Sequence, residues 1–308
     1  MSPPRVFLFR PSLKACARGL LAALVLAWLS GCAQLPSNAE LNRHADDMAR
    51  AAGLQRAQVQ TEGFVLTSFY RITRPDQPLT VYIEGDGFAW RTRSQPSLDP
   101  TPRKALGLTL AAADPAPNVL YLARPCQFTQ ASANPRCAVA YWTGKRFAEE
   151  VIAAMNQAVT QYAMRVPGQP IQLVGYSGGG AVAALIAARR DDVAWMRSVA
   201  GNLDMAEVNR LHRVSAMPDS LNAIDIAPLL ATLGQIHYAG SEDKVVPAPI
   251  AQRFANATGG RCTQVRIIPG MSHDGDWARL WPGLLAEPVH CSASPGSRGE
   301  GLPQAVTQ

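Results

Sequence analysis

Residues 171–179 read IQLVGYSGG, a short apolar run of strand type followed by a Gly-x-Ser-x-Gly turn. A run with helical spacing begins near Gly179, so the turn is predicted to join a strand to a helix. A sharp turn of this kind places its middle residue in strained backbone angles, and small neighbours let other chain segments approach closely. Ser177 is therefore expected to project its hydroxyl at the carboxyl edge of a sheet. The alternative is a glycine-rich turn that only packs a helix onto a sheet.

Short β-type runs alternate with longer helical runs from Phe64 onward. This alternation is typical of an α/β protein with a mostly parallel central sheet and helices on both faces. An earlier amphipathic helix is predicted between a cap at Asn38 and a stop at Gly53. The segment 202–230, between two predicted strands, is expected to form a small cap over the pocket. The predicted strands are 64–72, 79–84, 119–123, 171–175, 198–201, 235–239 and 265–268, and the predicted helices are 38–52, 144–165, 179–190, 249–258 and 274–285.

A serine hydroxyl becomes a good nucleophile only when a base takes its proton, so a histidine has to supply that base from elsewhere in the chain. His273 follows the predicted strand 265–268 and a turn, and it precedes a predicted helix. A loop at the sheet edge can therefore bring it to Ser177. The alternative for His273 is a helix-entry residue that donates to the backbone. The other histidines lie in less suitable places: His44, His212, His237 and His290.

The base needs a carboxylate that holds the imidazole in the right tautomer. Asp243 fits best, because it lies at the carboxyl end of the predicted strand 235–239, after a glycine turn. Asp204, after the preceding strand, is the second choice. Glu242 and Asp225 are more distant options, and each is expected to be a solvated loop charge.

The order Ser177, Asp243, His273 along the chain resembles that of the α/β-hydrolases. The region from about residue 64 to residue 291 is similar to an α/β-hydrolase-fold serine hydrolase. This resemblance implies a covalent acyl-enzyme, with Ser177 as nucleophile, His273 as base and then acid, and Asp243 as the residue that orients the histidine. It implies no cofactor.

Acyl transfer also requires donors aimed at the developing oxyanion. The backbone amide of Gly178 is the first expected donor. The second is expected from the loop after the predicted strand 79–84, and we favour Asp86 or Gly87 there. This loop departs from the family's His-Gly form, because Glu84 stands where histidine is usual. The other interpretation, a tight turn that needs glycine for positive φ, is compatible with this role.

The amino end of the sequence predicts export. A basic stretch without acids precedes the apolar run 20–29, which is too short for a membrane span of about 20 residues and typical of a signal-peptide core. Residues 29–32 read LSGC and resemble a bacterial lipobox, in which Cys32 becomes the lipidated first residue of the mature protein. The alternative is an ordinary secretory signal followed by a chance cysteine. Ala33 favours outer-membrane over inner-membrane retention, so we expect a protein anchored in the bacterial envelope and facing the periplasm.

Cysteine usage fits this interpretation, because one cysteine leaves with the signal and Cys32 takes the lipid, which leaves an even set of four. Four thiols permit three pairings. We favour Cys126 with Cys137 and Cys262 with Cys291, in an oxidising compartment. None of the four forms a Cys-x-x-Cys pair or lies near a suitably spaced histidine, so no metal site is expected.

The charge distribution argues against nucleic-acid binding. The formal net charge is +6, but the first 31 residues hold four basic residues and no acid. Without them 25 basic residues face 23 acidic ones, and no run rich in lysine and arginine carries interleaved aromatics. The predicted domains are a signal peptide at 1–31, a lipidated tether with a short helix at 32–60, a hydrolase domain at 61–291 and a disordered tail at 292–308.

These features together predict a monomeric serine hydrolase that cleaves an ester-like bond, a carboxylic ester or a thioester, in a small-molecule acyl substrate. Three other functions stay open: a non-catalytic relative that binds or scaffolds envelope components, an acyltransferase, and a peptidase with the same triad. Two interpretations apply to the charged and aromatic residues after the oxyanion loop: contact with an acidic or aromatic group of the substrate, or a charged surface loop. Because charged side chains are mostly solvent-exposed, we favour the surface loop. These residues are Trp90, Arg91, Arg93, Arg103 and Lys104.

Overall fold

The computed structural model describes residues 36–289 and residue 291. In this part of the chain the strands are β1 (Gln55–Gln60), β2 (Val65–Ile72), β3 (Leu79–Ile83), β4 (Asn118–Leu122), β5 (Ile171–Tyr176), β6 (Val193–Val199), β7 (Gly234–Gly240) and β8 (Thr263–Ile268). The helices are α1 (Asn38–Ala51), α2 (Leu106–Ala112), α3 (Glu149–Ala163), α4 (Gly178–Ala187), α5 (Met205–His212), α6 (Pro249–Ala257) and α7 (Trp277–Leu285). Short 3₁₀ helices occupy Ala131–Ala133, Val139–Trp142 and Ala223–Leu230.

All eight strands belong to one sheet, in the order β1-β2-β4-β3-β5-β6-β7-β8. The strand β2 pairs antiparallel with β1 and with β4, and every other neighbouring pair is parallel. The carboxyl ends of β3, β5, β7 and β8 therefore meet at the same edge of the sheet. Loops that follow these four strands carry every residue of the predicted site.

The two faces of the sheet bury separate apolar cores. Successive residues of a strand point to opposite faces, and in β3 Val81 packs into one core while Tyr82 packs into the other. The first core is covered by α3, α4 and α6, and the second by α1, α2 and α7. The expectation of a mostly parallel sheet with helices on both faces is confirmed.

The amino-terminal boundary differs from the prediction. Residues 38–60, assigned from the sequence to the tether, contribute α1 and β1 to the packed unit. Leu41, Ala45 and Ala49 of α1 are buried, and β1 pairs along its whole length with β2. The strand β1 was not predicted, because this edge strand reads QRAQVQ and buries only Val59.

Other element boundaries moved for similar reasons. The strand β6 begins at Val193 rather than at the predicted residue 198. The sequence pattern missed its first half because those residues are partly exposed and the buried Arg197 interrupts the apolar run. The helices α2 and α5 were not predicted, since both are short and lie inside segments that read as loops. No helix within 36–289 is long and apolar enough to cross a membrane.

The structure joins Cys126 to Cys137 and Cys262 to Cys291, with Cα atoms 5.6 Å and 3.9 Å apart. This is the pairing favoured from the sequence. The second disulfide ties the start of β8 to a residue beyond α7. The predicted signal peptide at 1–31, Cys32, His290 and the predicted tail at 292–308 lie outside the described residues.

One buried histidine lies in the core, away from the sheet edge. His237 of β7 is fully buried, its Nδ1 lies 2.9 Å from the Ser198 hydroxyl, and its ring contacts Phe254 edge to face. Its Nε2 has no hydrogen-bond partner among the described residues. Burial lowers the pKa of His237 to about 3, so this histidine stays neutral in the folded protein at neutral pH.

His237 is expected to make the protein sensitive to acid. In the unfolded chain the pKa of His237 returns to about 6.5. Between pH 6.5 and pH 3 the unfolded state therefore binds a proton on this histidine that the folded state does not bind. The free energy of unfolding should therefore fall as the pH drops from 6.5 towards 3, by about 3 kcal/mol between pH 7 and pH 4. Urea unfolding across this range checks it. His237→Asn should flatten the profile relative to wild type, whereas His44→Asn, at an exposed site on α1, should not; equal slopes for wild type and His237→Asn would contradict the prediction.

Candidate active site

Ser177 occupies a strained turn between β5 and α4. Its φ is +50° and its ψ is −121°, a backbone conformation that residues other than glycine rarely adopt. Close packing explains the glycines around it, because a Cβ at Gly175 would lie 2.3 Å from the carbonyl oxygen of Gly179. A Cβ at Gly179 would lie 2.2 Å from the carbonyl oxygen of Ile83. The sequence pattern therefore produces the predicted elbow, with Ser177 at its tip.

A continuous chain of hydrogen bonds links the three residues singled out in the sequence. His273 Nε2 lies 3.0 Å from Ser177 Oγ, and His273 Nδ1 lies 2.8 Å from Asp243 Oδ2. The Asp243 side chain is fully buried and the His273 side chain is 14% exposed. An ionised carboxylate only accepts hydrogen bonds, so Nδ1 carries the proton and Nε2 presents its lone pair to the serine hydroxyl. This arrangement suits removal of the serine proton.

The loops after β7 and β8 fix the acid and the base. Asp243 Oδ1 accepts hydrogen bonds from the backbone amides of Val245 and Val246, both at 2.8 Å. The carbonyl oxygen of His273 accepts from Trp277 Nε1 at 3.0 Å and from the Tyr176 hydroxyl at 3.2 Å. These bonds leave Asp243 Oδ2 and the imidazole ring free to contact each other.

The alternative acids are used elsewhere. Asp204 caps α5, where it accepts from the amide of Glu207 at 3.1 Å, and it pairs with Arg253 at 2.9 Å. Asp225 and Glu242 are exposed. Within the described residues none of these three acids makes a hydrogen bond or ion pair with His273. Asp243 is therefore the carboxylate that the structure brings to this histidine.

The alternative histidines also have other surroundings. His44 is exposed on α1, and His237 is buried in the core. His212 ends α5, and its Nε2 lies 2.7 Å from the carbonyl oxygen of Val245. None of these three approaches Ser177.

Glu84 holds the loop after β3. Its carboxylate accepts from the amides of Gly85 (2.9 Å), Gly107 (3.1 Å) and Leu108 (3.3 Å) and from the Tyr121 hydroxyl (3.1 Å). Burial raises the pKa of the Glu84 carboxyl above its ordinary value, and these four donors oppose the rise. Glu84 therefore anchors the loop to the start of α2 and leaves the Gly85 amide already bonded.

Asp86 and Gly178 lie against each other at the head of α4. A Cβ at Gly178 would lie 2.0 Å from Asp86 Oδ1, so a side chain there would have to displace the Asp86 carboxylate. The amide of Gly178 belongs to the first turn of α4 and has no acceptor inside the helix. No acceptor in the described part of the chain takes the amide of Asp86. Gly87, the other candidate donor, has a φ of +67°, and a Cβ there would lie 2.0 Å from the Pro100 carbonyl oxygen.

Comparison with solved structures identifies the architecture. No family model matches the chain, and a search of curated proteins finds no match. An α/β serine hydrolase homologue from Coxiella burnetii is similar at 15% identity with a TM-score of 0.53, over 75% of this chain and 97% of its own. Est1E from Butyrivibrio proteoclasticus is similar at 14% identity with a TM-score of 0.51, over 75% of this chain and 97% of its own. An esterase from Pyrococcus furiosus is similar at 10% identity with a TM-score of 0.50, over 75% of this chain and 89% of its own.

The chain has the α/β-hydrolase fold. Likeness at this level of identity concerns the fold, so the chemistry has to be argued from the site. The elbow after β5 and the loops after β7 and β8 are the parts of the α/β-hydrolase fold that carry this chain's candidate residues.

A cavity of about 530 Å³ opens beside Ser177 in this α/β-hydrolase fold. Its lining includes Asp86, Trp90, Arg103, Arg146, Ser177 and His273. The segment 202–230, expected to cap the pocket, contributes no residue to this lining. The loops at 86–90 and 102–106 form the wall instead. The segment is held elsewhere by its own contacts. Asp204 caps α5 and pairs with Arg253 of α6. Met205 and Val208 of α5 are buried in the core on the α6 side of the sheet.

Two arginines near the cavity were not singled out from the sequence. Arg124 lies two residues after the end of β4 and is buried, and Arg146 lies shortly before α3 and lines the cavity. Both contact the Asp86 carboxylate. A signal existed for Arg124, because a charged residue just after a buried strand of the α/β-hydrolase sheet faces the edge where the site lies. Arg146 carried no such signal, since only the path of its loop brings it to the cavity.

Proposed function

We propose that this protein is a serine hydrolase that cleaves an ester-like bond, a carboxylic ester or a thioester, through an acyl-enzyme on Ser177. The observation that carries the proposal is the hydrogen-bonded chain from Ser177 through His273 to Asp243, at 3.0 Å and 2.8 Å. Nucleophile, base and orienting acid lie within hydrogen-bond reach of one another, which is the arrangement that nucleophilic catalysis by serine requires. A non-catalytic scaffold has no need of it.

Acylation begins when Ser177 Oγ attacks the carbonyl carbon of the substrate. His273 Nε2 takes the hydroxyl proton as the new C–O bond forms, and the carbonyl oxygen takes up the negative charge. Asp243 stabilises the resulting imidazolium. The tetrahedral intermediate then collapses, the bond to the leaving group breaks, and Nε2 returns the proton to the leaving oxygen or sulfur. Water repeats the sequence on the acyl-enzyme and releases the acid.

The amides of Gly178 and Asp86 are the proposed oxyanion donors. Gly85 is unsuitable because its amide donates to Glu84, and Asp86 packs directly against Gly178. Two backbone donors in a fixed position stabilise the developing charge without reorganising.

Covalent labelling with a fluorophosphonate tests the proposal. The full chain, purified in a non-ionic detergent, should take up one label, and mass spectrometry should place it on Ser177. The Ser177→Ala chain should take up none, while Ser215→Ala, a change at an exposed serine after α5, should label like wild type. A folded wild-type chain that stays unlabelled would refute the mechanism.

We also propose that Cys32 is lipidated and holds the enzyme in the bacterial outer membrane, facing the periplasm. The signal features at 1–31 support this, and two disulfides are in keeping with an oxidising compartment. The amino-terminal peptide from cell envelopes should carry acyl chains on Cys32 by mass spectrometry. An unmodified cysteine there would overturn the anchor and leave the proposed chemistry untouched.

A further inference from the structure

Two arginines surround one carboxylate of the cavity beside Ser177. Arg124 Nη1 lies 3.4 Å from Asp86 Oδ1, and Arg146 Nε lies 3.3 Å from Asp86 Oδ2. Both guanidinium groups also flank the ring of Phe147, at 5.2 Å and 5.4 Å from its centre. Arg124 donates through Nη2 to the carbonyl oxygen of Arg146, so the two loops are tied together.

Burial makes this arrangement costly unless the charges are matched. The side chains of Arg124 and Arg146 are 5% and 13% exposed. Burial lowers the pKa of the Arg124 guanidinium to about 10, which still leaves it charged at neutral pH. Asp86 therefore pairs with both guanidinium groups, and the buried Glu84 carboxylate also acts electrostatically on Arg124.

The other acids around the cavity are already engaged. The Glu84 carboxylate accepts four hydrogen bonds, from the loop after β3, from α2 and from β4. Asp274 pairs with Lys104 at 3.2 Å, and Arg103 stacks over the ring of Phe88 at 3.5 Å. Among the described lining residues, Asp86 is therefore the carboxylate that pairs directly with Arg146.

Arg146 is the member of the cluster that faces the cavity. Arg124 is buried behind it, whereas Arg146 lines the same cavity as Ser177 and His273. Its Nη1 and Nη2 donate to no acceptor within the described residues, and neither atom is among the buried polar atoms that lack a partner. The guanidinium therefore presents two N–H-bearing nitrogens to the cavity, one side chain away from the elbow.

We infer that Arg146, backed by Arg124, forms an anion subsite, so that the enzyme prefers esters carrying a carboxylate or phosphate near the scissile bond. This rests on the proposed function. Guanidinium groups bind both anions through paired hydrogen bonds, and such bonds are stronger when both partners are charged. A substrate anion here supplies acceptors for the two Arg146 nitrogens, Nη1 and Nη2, that have none among the described residues.

Matched ester pairs test the preference with the full chain in a non-ionic detergent. Monoethyl succinate against ethyl butyrate places the carboxylate on the acyl side. The pair of 4-acetoxybutanoate and butyl acetate places the carboxylate on the alcohol side. The pair of 1-acetylglycerol 3-phosphate and 1-acetylglycerol places a phosphate on the alcohol side. Wild type should show a kcat/KM at least about tenfold higher for the anionic member of at least one pair. No preference in any pair would overturn the inference.

Variants at position 146 assign the preference to the arginine. Arg146→Gln should reduce the anionic-to-neutral ratio of kcat/KM by at least about tenfold, and Arg146→Lys should restore part of it because the charge returns. Arg43→Gln, a change at an exposed arginine on α1, is the control and should keep the wild-type ratio. An equal loss on both members of every pair would mean that Arg146 only supports the loop, and it would reject the subsite.

A binding measurement separates this inference from the proposed function. The Ser177→Ala chain cannot form an acyl-enzyme, so calorimetry with the six esters reports binding alone. It should bind an anionic ester more tightly than its neutral partner, and the Ser177→Ala/Arg146→Gln chain should not. Equal binding of both members rejects the subsite even if esters are cleaved. Failure of fluorophosphonate labelling rejects the catalytic mechanism even if the anion binds.

Discussion

Ser177→Ala is expected to lower kcat/KM for ester hydrolysis by at least about 1,000-fold, with the unfolding midpoint little changed. The reason is that Oγ is the attacking atom in the proposed mechanism, and no other hydroxyl among the described residues contacts His273 Nε2. His273→Ala should cause a loss of similar size, because without the base the hydroxyl keeps its proton. Initial rates with a neutral ester, together with thermal unfolding of each variant, measure both effects.

The double variant makes this prediction sharper. Residues that act as one unit are not additive, so Ser177→Ala/His273→Ala should be about as slow as either single variant. Ser215→Ala serves again as the matched serine control and should retain wild-type rates. Full activity of either single variant would show that the hydrogen-bonded chain is not the catalytic machinery.

Asp243→Asn is the second large effect, with an expected loss in kcat/KM of about 100-fold or more, yet smaller than that of Ser177→Ala. An asparagine at this position can donate to Nδ1, which favours the tautomer that carries the proton on Nε2 and removes the acceptor for the serine proton. It also removes the negative charge that stabilises the imidazolium. The amides of Val245 and Val246 bond Oδ1, which the asparagine side chain can retain, so the fold should persist.

Asp204→Asn is the matched comparison, because Asp204 was the rival acid in the sequence and is equally buried. The structure gives it a cap on α5 and an ion pair with Arg253. Asparagine caps a helix as well as aspartate does, so this replacement removes only the ion pair with half-exposed Arg253 and should cost about 1 kcal/mol of stability or less. It should leave kcat/KM within about threefold of wild type. The two variants are compared by ester kinetics and urea unfolding. A larger catalytic loss from Asp204→Asn than from Asp243→Asn would reassign the acid.

The order Ser177, Asp243, His273 was readable from the sequence because each of the three residues follows a predicted strand directly or after a short turn. Strand and helix periodicity depend on neighbours along the chain, and parallel strands bring their carboxyl ends to one edge. The signal was weaker where an element packs at the periphery. The strand β1 has one buried side chain, and β6 contains the buried Arg197, so neither shows a clean apolar pattern.

The sequence by itself determined the α/β architecture, the elbow at Ser177 and the short list of histidines and acids, since these depend on local spacing and on the conformations that glycine allows. Only the tertiary structure decided between Asp243 and Asp204, moved the segment 202–230 away from the cavity wall, and placed Arg146 beside Asp86. Those outcomes depend on which loops meet across the sheet edge. Contacts between residues far apart in the chain follow from strand order and packing, and no local pattern encodes them.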